Sequence, residues 1–153
     1  MTELEWGLSE ALDGPDVDAI GAGLHAYNIA TGGIGGARGM CCSVRAPSRE
    51  LIGGAVGRSW GECAELRMLW VADGWRRRGL GGELLARVEV EAATRGCRKL
   101  YLDTFSFQAP AFYTGRGFET LLIVAGFPGG ATKHVMCKAL AAPTRIGQDR
   151  GAG

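Results

Sequence analysis

The residues best suited to chemistry in this chain form a short basic and glycine-rich segment, residues 76–82, with the sequence RRRGLGG. An apolar run ending at Val71 predicts a strand before it, and apolar residues at helical spacing from Leu80 onward predict a helix after it. Where a strand turns into a helix, the first backbone N–H groups lack partners and the helix dipole adds positive charge. We therefore expect this segment to bind an anion such as a phosphate.

Two common phosphate-binding patterns do not fit this segment. A P-loop requires G-x-x-x-x-G-K-[ST], and the chain contains no such string. A dinucleotide-binding turn requires a third glycine or alanine after Gly79 and Gly81, and Leu84 stands at that position. The pattern that remains is R-x-x-G-x-G, in which Arg76, Gly79 and Gly81 take the defined positions.

A second motif follows about thirty residues later, where Phe112-Tyr113 is followed by Gly117-Phe118. It resembles the signature A-x-x-F-Y-x-x-x-G-F of the GNAT superfamily of N-acetyltransferases. The R-x-x-G-x-G string resembles the turn with which the same superfamily binds the pyrophosphate of acetyl-coenzyme A (acetyl-CoA). The resemblance is specific over residues 62–118 and implies an acetyl-CoA-dependent enzyme.

The resemblance also implies which residues would hold acetyl-CoA. Backbone N–H groups of the glycine turn would bind the pyrophosphate, and one or two of the arginines would serve the 3′-phosphate. A β-bulge near residues 69–71 would free main-chain donors to hold the pantetheine arm and to polarise the thioester carbonyl. The side chain of Trp70 is either a wall of the acceptor pocket or a core residue. The expected cofactor-binding residues are Leu69, Trp70, Val71, Arg76, Arg77, Arg78, Gly79, Leu80, Gly81, Gly82 and Phe112.

Acetyl transfer to an amine requires a neutral nucleophile and a leaving thiolate that can take up a proton. A primary amine has a pKa of about 10.4, so a nearby carboxylate must accept its proton at pH 7. The resemblance implies that Tyr113 reaches the thioester sulfur as the acid. Glu65 is the candidate base, because family members often carry an acidic residue at this point. Strand alternation predicts Glu65 and Arg67 on the face opposite Leu66 and Met68.

Each of these roles has a structural alternative. Tyr113 could be a core aromatic whose hydroxyl finds a backbone partner. Glu65 could pair with Arg67, or with an arginine of a neighbouring strand, on a solvated face. Glu62 and Asp103 are the other candidate bases.

A mixed sheet must position these motifs. Patterns of period two and period 3.6 predict the element order β-α-β-β-β-α-β-α-β-β. The predicted strands are 2–9, 40–44, 51–58, 62–71, 100–104, 118–124 and 133–140, and the predicted helices are 16–28, 80–95 and 108–116. We expect an α/β (α+β) fold with about seven strands and helices on both faces. The resemblance implies that the fourth and fifth strands splay apart around the cofactor.

Length and composition fit one globular domain. A chain of 153 residues can bury about 70% of its unfolded surface, so it can form a real core. We expect the domain at residues 1–141 and a flexible tail at 142–153, which lacks apolar periodicity. The five cysteines include no C-x-x-C pair and the chain has two histidines, so we expect buried, reduced cysteines and no metal site.

Charge and hydropathy indicate the cellular compartment of the protein and exclude some classes of partner. No apolar run reaches about 18 residues and the N-terminus is acidic, so we expect a cytoplasmic protein without a membrane span or signal peptide. The net charge of +1 and the lack of an aromatic stripe beside the arginines disfavour nucleic acid. A homodimer is an expectation on general grounds, since two-fold dimers are the commonest assembly.

The predicted function is acetyl-CoA-dependent N-acetylation of a primary amine, with a small molecule as the acceptor and direct attack in a ternary complex. Two alternatives remain open. The protein could be a catalytically silent acyl-CoA-binding sensor, or it could acetylate protein lysines or N-termini, which would require an open groove.

Overall fold

The computed structural model describes residues 3–142, which fall into two compact units, 3–36 and 37–142. The helices are α1 (Pro15–Gly32), α2 (Leu80–Thr94) and α3 (Pro110–Thr114). The strands are β1 (Arg38–Arg45), β2 (Leu51–Trp60), β3 (Cys63–Val71), β4 (Lys99–Phe105), β5 (Glu119–Val124) and β6 (Lys133–Ala139). None of the helices in these residues is long and apolar enough to cross a bilayer. The one-domain assignment stays a prediction, and the predicted tail lies outside the described residues from 143 onward.

The first unit contains α1 and the segment before it. Pro15 begins the helix, where its missing N–H removes no hydrogen bond, and Gly33 ends it with a left-handed φ of 63°. The predicted strand at 2–9 is wrong over its described part, because residues 3–11 form no regular structure. Alternating apolar residues satisfy the period of a strand, but a strand also needs a neighbouring strand. Residues 3–9 pair with none in the described chain.

The second unit contains a six-stranded sheet with the order β1-β2-β3-β4-β6-β5. All neighbours are antiparallel except β3 and β4, which run parallel because α2 connects them. The described chain therefore has six strands where seven were predicted, and the missing strand is the one at 2–9. The predicted class, a mixed sheet with helices, is confirmed.

Helix α2 packs on β1, β2 and β3 and forms the core with them. Leu84, Leu85, Val88 and Ala92 recur at helical spacing, and all four are buried. Their sheet partners in the core include Ala55, Ala64, Leu66, Leu100, Leu102 and Met136. Burying one large apolar side chain contributes about 1.5–3 kcal/mol. This layer therefore fixes the N-terminus of α2 at the end of β3.

Helix α3 lies on the same face of the sheet as α2. The Phe112 ring contacts the backbone at Gly81, and Tyr113 belongs to the same buried cluster as Leu84. Within residues 37–142 the helices thus cover one face of the sheet. The helix predicted for the other face stays a prediction.

The C-terminal end of α2 is joined to the sheet by Arg95, whose side chain is 12% exposed. One Nη atom donates to the carbonyl of Arg38 and the other to that of Gly39, both at 3.0 Å, and Nε pairs with Glu91 at 2.6 Å. A cation here also interacts favourably with the helix dipole. Gly96 follows at a φ of 91°, which is the helix end that the sequence predicted.

The prediction that all five cysteines are buried is wrong. Cys97 is buried, Cys42 and Cys137 are partly exposed, and Cys41 and Cys63 are exposed. The reason is alternation in the strands: Met40 of β1 faces the core, so its neighbour Cys41 faces away.

Candidate active site

The strands β3 and β4 pair over only half of their length. Parallel pairing runs from Cys63 and Lys99 to Leu66 and Leu102, where it stops. Strand β3 continues to Val71 and β4 continues to Phe105 without pairing with each other. Backbone groups on the facing edges of the two strands are therefore available to a ligand. This opening is the splay that the sequence led us to expect between these strands.

A β-bulge lies beside the opening, at Arg67. In the antiparallel ladder Gly57 faces Leu66 and Val56 faces Met68, so Arg67 is an extra residue on β3. The bulge was predicted near residues 69–71 and is found earlier along the strand. The cause is a close approach: a Cβ on Gly57 would lie 2.6 Å from the Glu65 carbonyl oxygen. Only glycine lets β2 come so near to β3 at this point.

The bulge reverses the alternation of β3. Leu66 is buried before it, and Leu69 and Val71 pack against the same core after it. The prediction that Met68 shares a face with Leu66 is therefore wrong, and Met68 is 57% exposed. Trp70 is 48% exposed, which excludes the core interpretation of its side chain.

The predicted glycine turn joins β3 to α2 in a left-handed conformation. Arg77 has a φ of 60° and Gly79 a φ of 80°. The first hydrogen bond of α2 runs from the N–H of Glu83 to the carbonyl of Gly79, so the preceding N–H groups have no acceptor in the helix. A Cβ on Gly81 would lie 3.6 Å from the Phe112 ring, so the two motifs meet here.

Two of the three consecutive arginines contact residues on the strand side of the turn. Arg76 donates from Nε to the carbonyl of Val71 at 3.1 Å and pairs with Asp73 at 3.0 Å. The Arg78 guanidinium lies 4.8 Å from the centre of the Trp75 ring. These contacts hold Arg76 at the end of β3.

The Tyr113 side chain is 8% exposed and packs edge-on against two rings. Its centre lies 5.0 Å from that of Phe112 and 5.6 Å from that of Phe118. Burial raises the pKa of the Tyr113 hydroxyl above its usual value near 10, so the group is protonated at pH 7. No hydrogen bond of this hydroxyl is found within residues 3–142, so the backbone partner of the core alternative is absent there. No buried side-chain oxygen or nitrogen in these residues lacks a partner, so the hydroxyl oxygen is not fully buried. The ring is part of the core, and the hydroxyl keeps its proton.

Glu65 pairs with an arginine of the neighbouring strand. Its Oε2 atom accepts from Nε of Arg58 at 2.5 Å, and the Arg58 guanidinium also lies 4.7 Å from the Trp60 ring. Across the parallel pair Glu65 faces Tyr101, one residue before the opening. Burial, and secondly the negative charge of Glu65, raise the pKa of Tyr101. The alternative in which Glu65 forms an ion pair between strands is therefore present, with Arg58 as the partner instead of Arg67.

Asp103 is the first residue of β4 beyond the last pair with β3. Its carboxylate lies 3.6 Å from Nζ of Lys133 and is more than half exposed. No group of three or more His, Cys, Asp or Glu side chains in residues 3–142 is arranged to hold a metal ion.

Two arginines at the site escaped the sequence reasoning. Arg58 has no signal beyond its position in a strand, since its partner is set by the register of β2 on β3. Arg116 stands inside the second motif, at a variable position just before Gly117. The structure places its guanidinium against Gly82 in the first turn of α2. Its basic side chain, inside the second of the two motifs, was the signal that could have found it.

Known proteins are similar to this chain in sequence and in fold. Residues 25–118 match the acetyltransferase (GNAT) family. The chain is 38% identical over 92 residues to blasticidin-S acetyltransferase of Streptomyces morookaense, covering 60% of this chain and 68% of that protein. It is 33% identical over 114 residues to an acetyltransferase of Agrobacterium fabrum, covering 74% of this chain and 83% of that one.

A crystal structure of an acetyltransferase from Bacillus cereus superposes with a TM-score of 0.74 at 28% identity. The superposition covers 86% of this chain and 98% of that one. The matched segment contains the opening between β3 and β4, the glycine turn and the Phe112-Tyr113 pair. The chain therefore belongs to the GNAT family of acetyltransferases.

Proposed function

We propose that this protein transfers an acetyl group from acetyl-CoA to a primary amine of a small molecule, by direct attack in a ternary complex. The observation that carries the proposal is the opening between β3 and β4. The glycine turn follows β3, and Tyr113 shares a buried cluster with Leu66 and Leu102 at the base of the opening. A small acceptor is supported by the relative named blasticidin-S acetyltransferase, to which the chain is 38% identical.

The residues at the opening fit acetyl-CoA. Free N–H groups precede Glu83 in α2, and the glycines at positions 81 and 82 add no side chains of their own to that turn. Residues 67–71 of β3 offer main-chain groups along the edge that β4 leaves unpaired. We propose that the turn holds the pyrophosphate and this edge holds the pantetheine arm. When bound, acetyl-CoA supplies the activated acetyl thioester.

Two side chains of the protein would then move protons. Tyr113 holds a proton at its hydroxyl at neutral pH and donates it to the sulfur of the leaving CoA thiolate, which becomes the free thiol. Glu65 accepts the proton of the acceptor amine, and the contact of Arg58 with Oε2 holds the carboxylate in place. Asp103, at the base of the opening, is another candidate for this role.

A steady-state assay of CoA thiol release over a panel of amines tests the proposal. We expect a small amine to be acetylated, and we expect Tyr113→Phe to lower kcat on the order of 10²-fold. Glu65→Gln should lower kcat by a similar factor, whereas Glu119→Gln on the exposed strand β5 should not. A lysine peptide and a peptide with a free N-terminus are included, and turnover of these alone would contradict a small acceptor.

A silent acyl-CoA sensor is the second candidate, because the ion pair with Arg58 engages the carboxylate that would serve as the base. The two functions differ in one experiment. A sensor would bind CoA, with a thermal shift worth about 2 kcal/mol when the ligand is thirtyfold above its Kd, but it would release no thiol with any amine. An enzyme would show both. Homodimerisation stays a prediction, and gel filtration with light scattering tests it.

A further inference from the structure

We propose that Arg116 is a phosphate-binding residue of this protein, which contacts the donor from beside the first turn of α2. The inference rests on the proposed function, in which that turn holds the phosphates of acetyl-CoA. It assigns to the second motif a role that the three consecutive arginines of the first motif were expected to fill.

The position of the guanidinium is the first observation. A Cβ on Gly82 would lie 2.6 Å from Nη2 of Arg116 and 3.2 Å from its Nε. The guanidinium therefore lies against the first turn of α2, in the space that any other residue at position 82 would fill. The guanidinium is therefore close to Gly82, whose N–H is one of the free groups of the turn.

Arg116 is held in this position by contacts within its own motif. Its Cζ atom lies 3.8 Å from the centre of the Phe112 ring, and Nη1 donates to the Phe112 carbonyl at 3.2 Å. Stacking on an aromatic ring and a backbone hydrogen bond order a guanidinium without consuming its charge. Several of its N–H donors remain for a ligand.

Within residues 3–142 Arg116 forms no ion pair with a carboxylate. The acidic residue of the first turn, Glu83, pairs instead with Arg87 at 2.8 Å. A cation beside a helix N-terminus is opposed by the helix dipole, and the arginines of the preceding turn add to the repulsion. An anion placed between these positive groups would be attracted by the helix dipole and by the arginines, so the unfavourable interactions would be replaced by favourable ones. A phosphate also accepts two parallel hydrogen bonds from one guanidinium.

Binding of CoA and of 3′-dephospho-CoA, measured by titration calorimetry, tests the inference. We expect Arg116→Gln to raise the Kd of CoA by about tenfold, the effect of losing one charge-assisted contact. Arg98→Gln is the matched control, because it removes the same charge beyond the other end of α2, about 22 Å away. It should change the Kd less than twofold.

Comparing the binding of CoA with that of 3′-dephospho-CoA shows which phosphate Arg116 contacts. A loss seen with CoA alone assigns Arg116 to the 3′-phosphate, and an equal loss with both assigns it to the pyrophosphate. Arg116→Lys keeps the charge without the planar fork, so we expect an intermediate Kd, and this variant carries the test if Arg116→Gln melts early. Unchanged CoA binding by both variants would overturn the inference alone. A wild-type protein that binds no CoA would overturn the proposed function with it.

Discussion

Leu66 and Leu102 are the last residues that pair β3 with β4, and they are buried on the same side of the sheet. Beyond them the strands diverge, although each continues for three residues or more. The opening is therefore anchored by a packed apolar pair at its base. The bulge at Arg67 follows at once on β3, so the divergence and the bulge form one local feature.

We predict that Gly57→Ala destabilises this feature. The new Cβ would lie 2.6 Å from the Glu65 carbonyl oxygen, so β2 and β3 must move apart. Forcing a methyl group into a packed site costs about 1–3 kcal/mol. Urea unfolding measures the loss, and the KM for acetyl-CoA should rise with it. Gly39→Ala on β1, where a Cβ meets open space, should leave both unchanged.

The raised pKa of Tyr113 predicts how the stability of the fold changes at high pH. Because burial raises the pKa of Tyr113, its protonated form stabilises the folded state fully below pH 10, and this contribution is lost as the pH rises through the folded-state value. The unfolding free energy of the wild type should therefore fall more steeply above pH 10 than that of Tyr113→Phe. Parallel curves for the two proteins would contradict a perturbed tyrosine at this position.

We predict that Arg95→Ala destabilises the fold by about 2–4 kcal/mol, because it removes several charged hydrogen bonds between α2 and β1 in a nearly buried setting. Arg87→Ala removes an exposed ion pair with Glu83, which lies one helical turn away. It should lower the free energy of unfolding by about 0.5 kcal/mol or less. Thermal melts of both variants give the comparison. Similar costs would mean that the backbone contacts of Arg95 contribute little.

We expect Arg58 to support Glu65 by holding its carboxylate in position. We predict that Arg58→Ala lowers kcat by less than Glu65→Gln does, and that Arg58→Lys restores part of the loss because it keeps a cation beside Oε2. The double variant should be no slower than Glu65→Gln, since Arg58 acts through that carboxylate. Additive losses in kcat would show that the two residues act independently.

Thiol reactivity should follow the exposure of the cysteines. Burial raises the pKa of the Cys97 thiol, which lowers its thiolate fraction at pH 8. We expect a thiol reagent to modify Cys41 and Cys63 quickly and Cys97 only on unfolding. Mass spectrometry of peptides taken at early times identifies the modified residues. Early labelling of Cys97 would contradict its burial.

The sequence predicted most elements within a few residues, because local signals mark them. Glycines at left-handed positions end α1 and α2, and Pro110 begins α3. The strand at 2–9 failed because alternation reports one amphipathic segment, whereas strand formation depends on a partner distant in the chain. Alternation likewise could not show that Met68 changes faces.

The candidate site, like the fold, was predictable where local motifs mark it and not where it depends on contacts distant in the chain. Two spaced motifs pointed to the glycine turn and to the Phe112-Tyr113 pair as site residues, and in the structure Phe112 lies beside Gly81 and Tyr113 is buried. The bulge position depends on contact between Gly57 and Glu65, and the partner of Glu65 depends on the register of two strands. Neither is encoded by residue spacing within one segment.

The contact between Gly82 and Arg116 has an evolutionary consequence. A side chain at position 82 would displace the Arg116 guanidinium from that space, so the two positions should vary together. Among relatives, an alanine or serine at position 82 should accompany a small or apolar residue at position 116. Glycine at 82 then leaves room for an arginine that belongs to another motif.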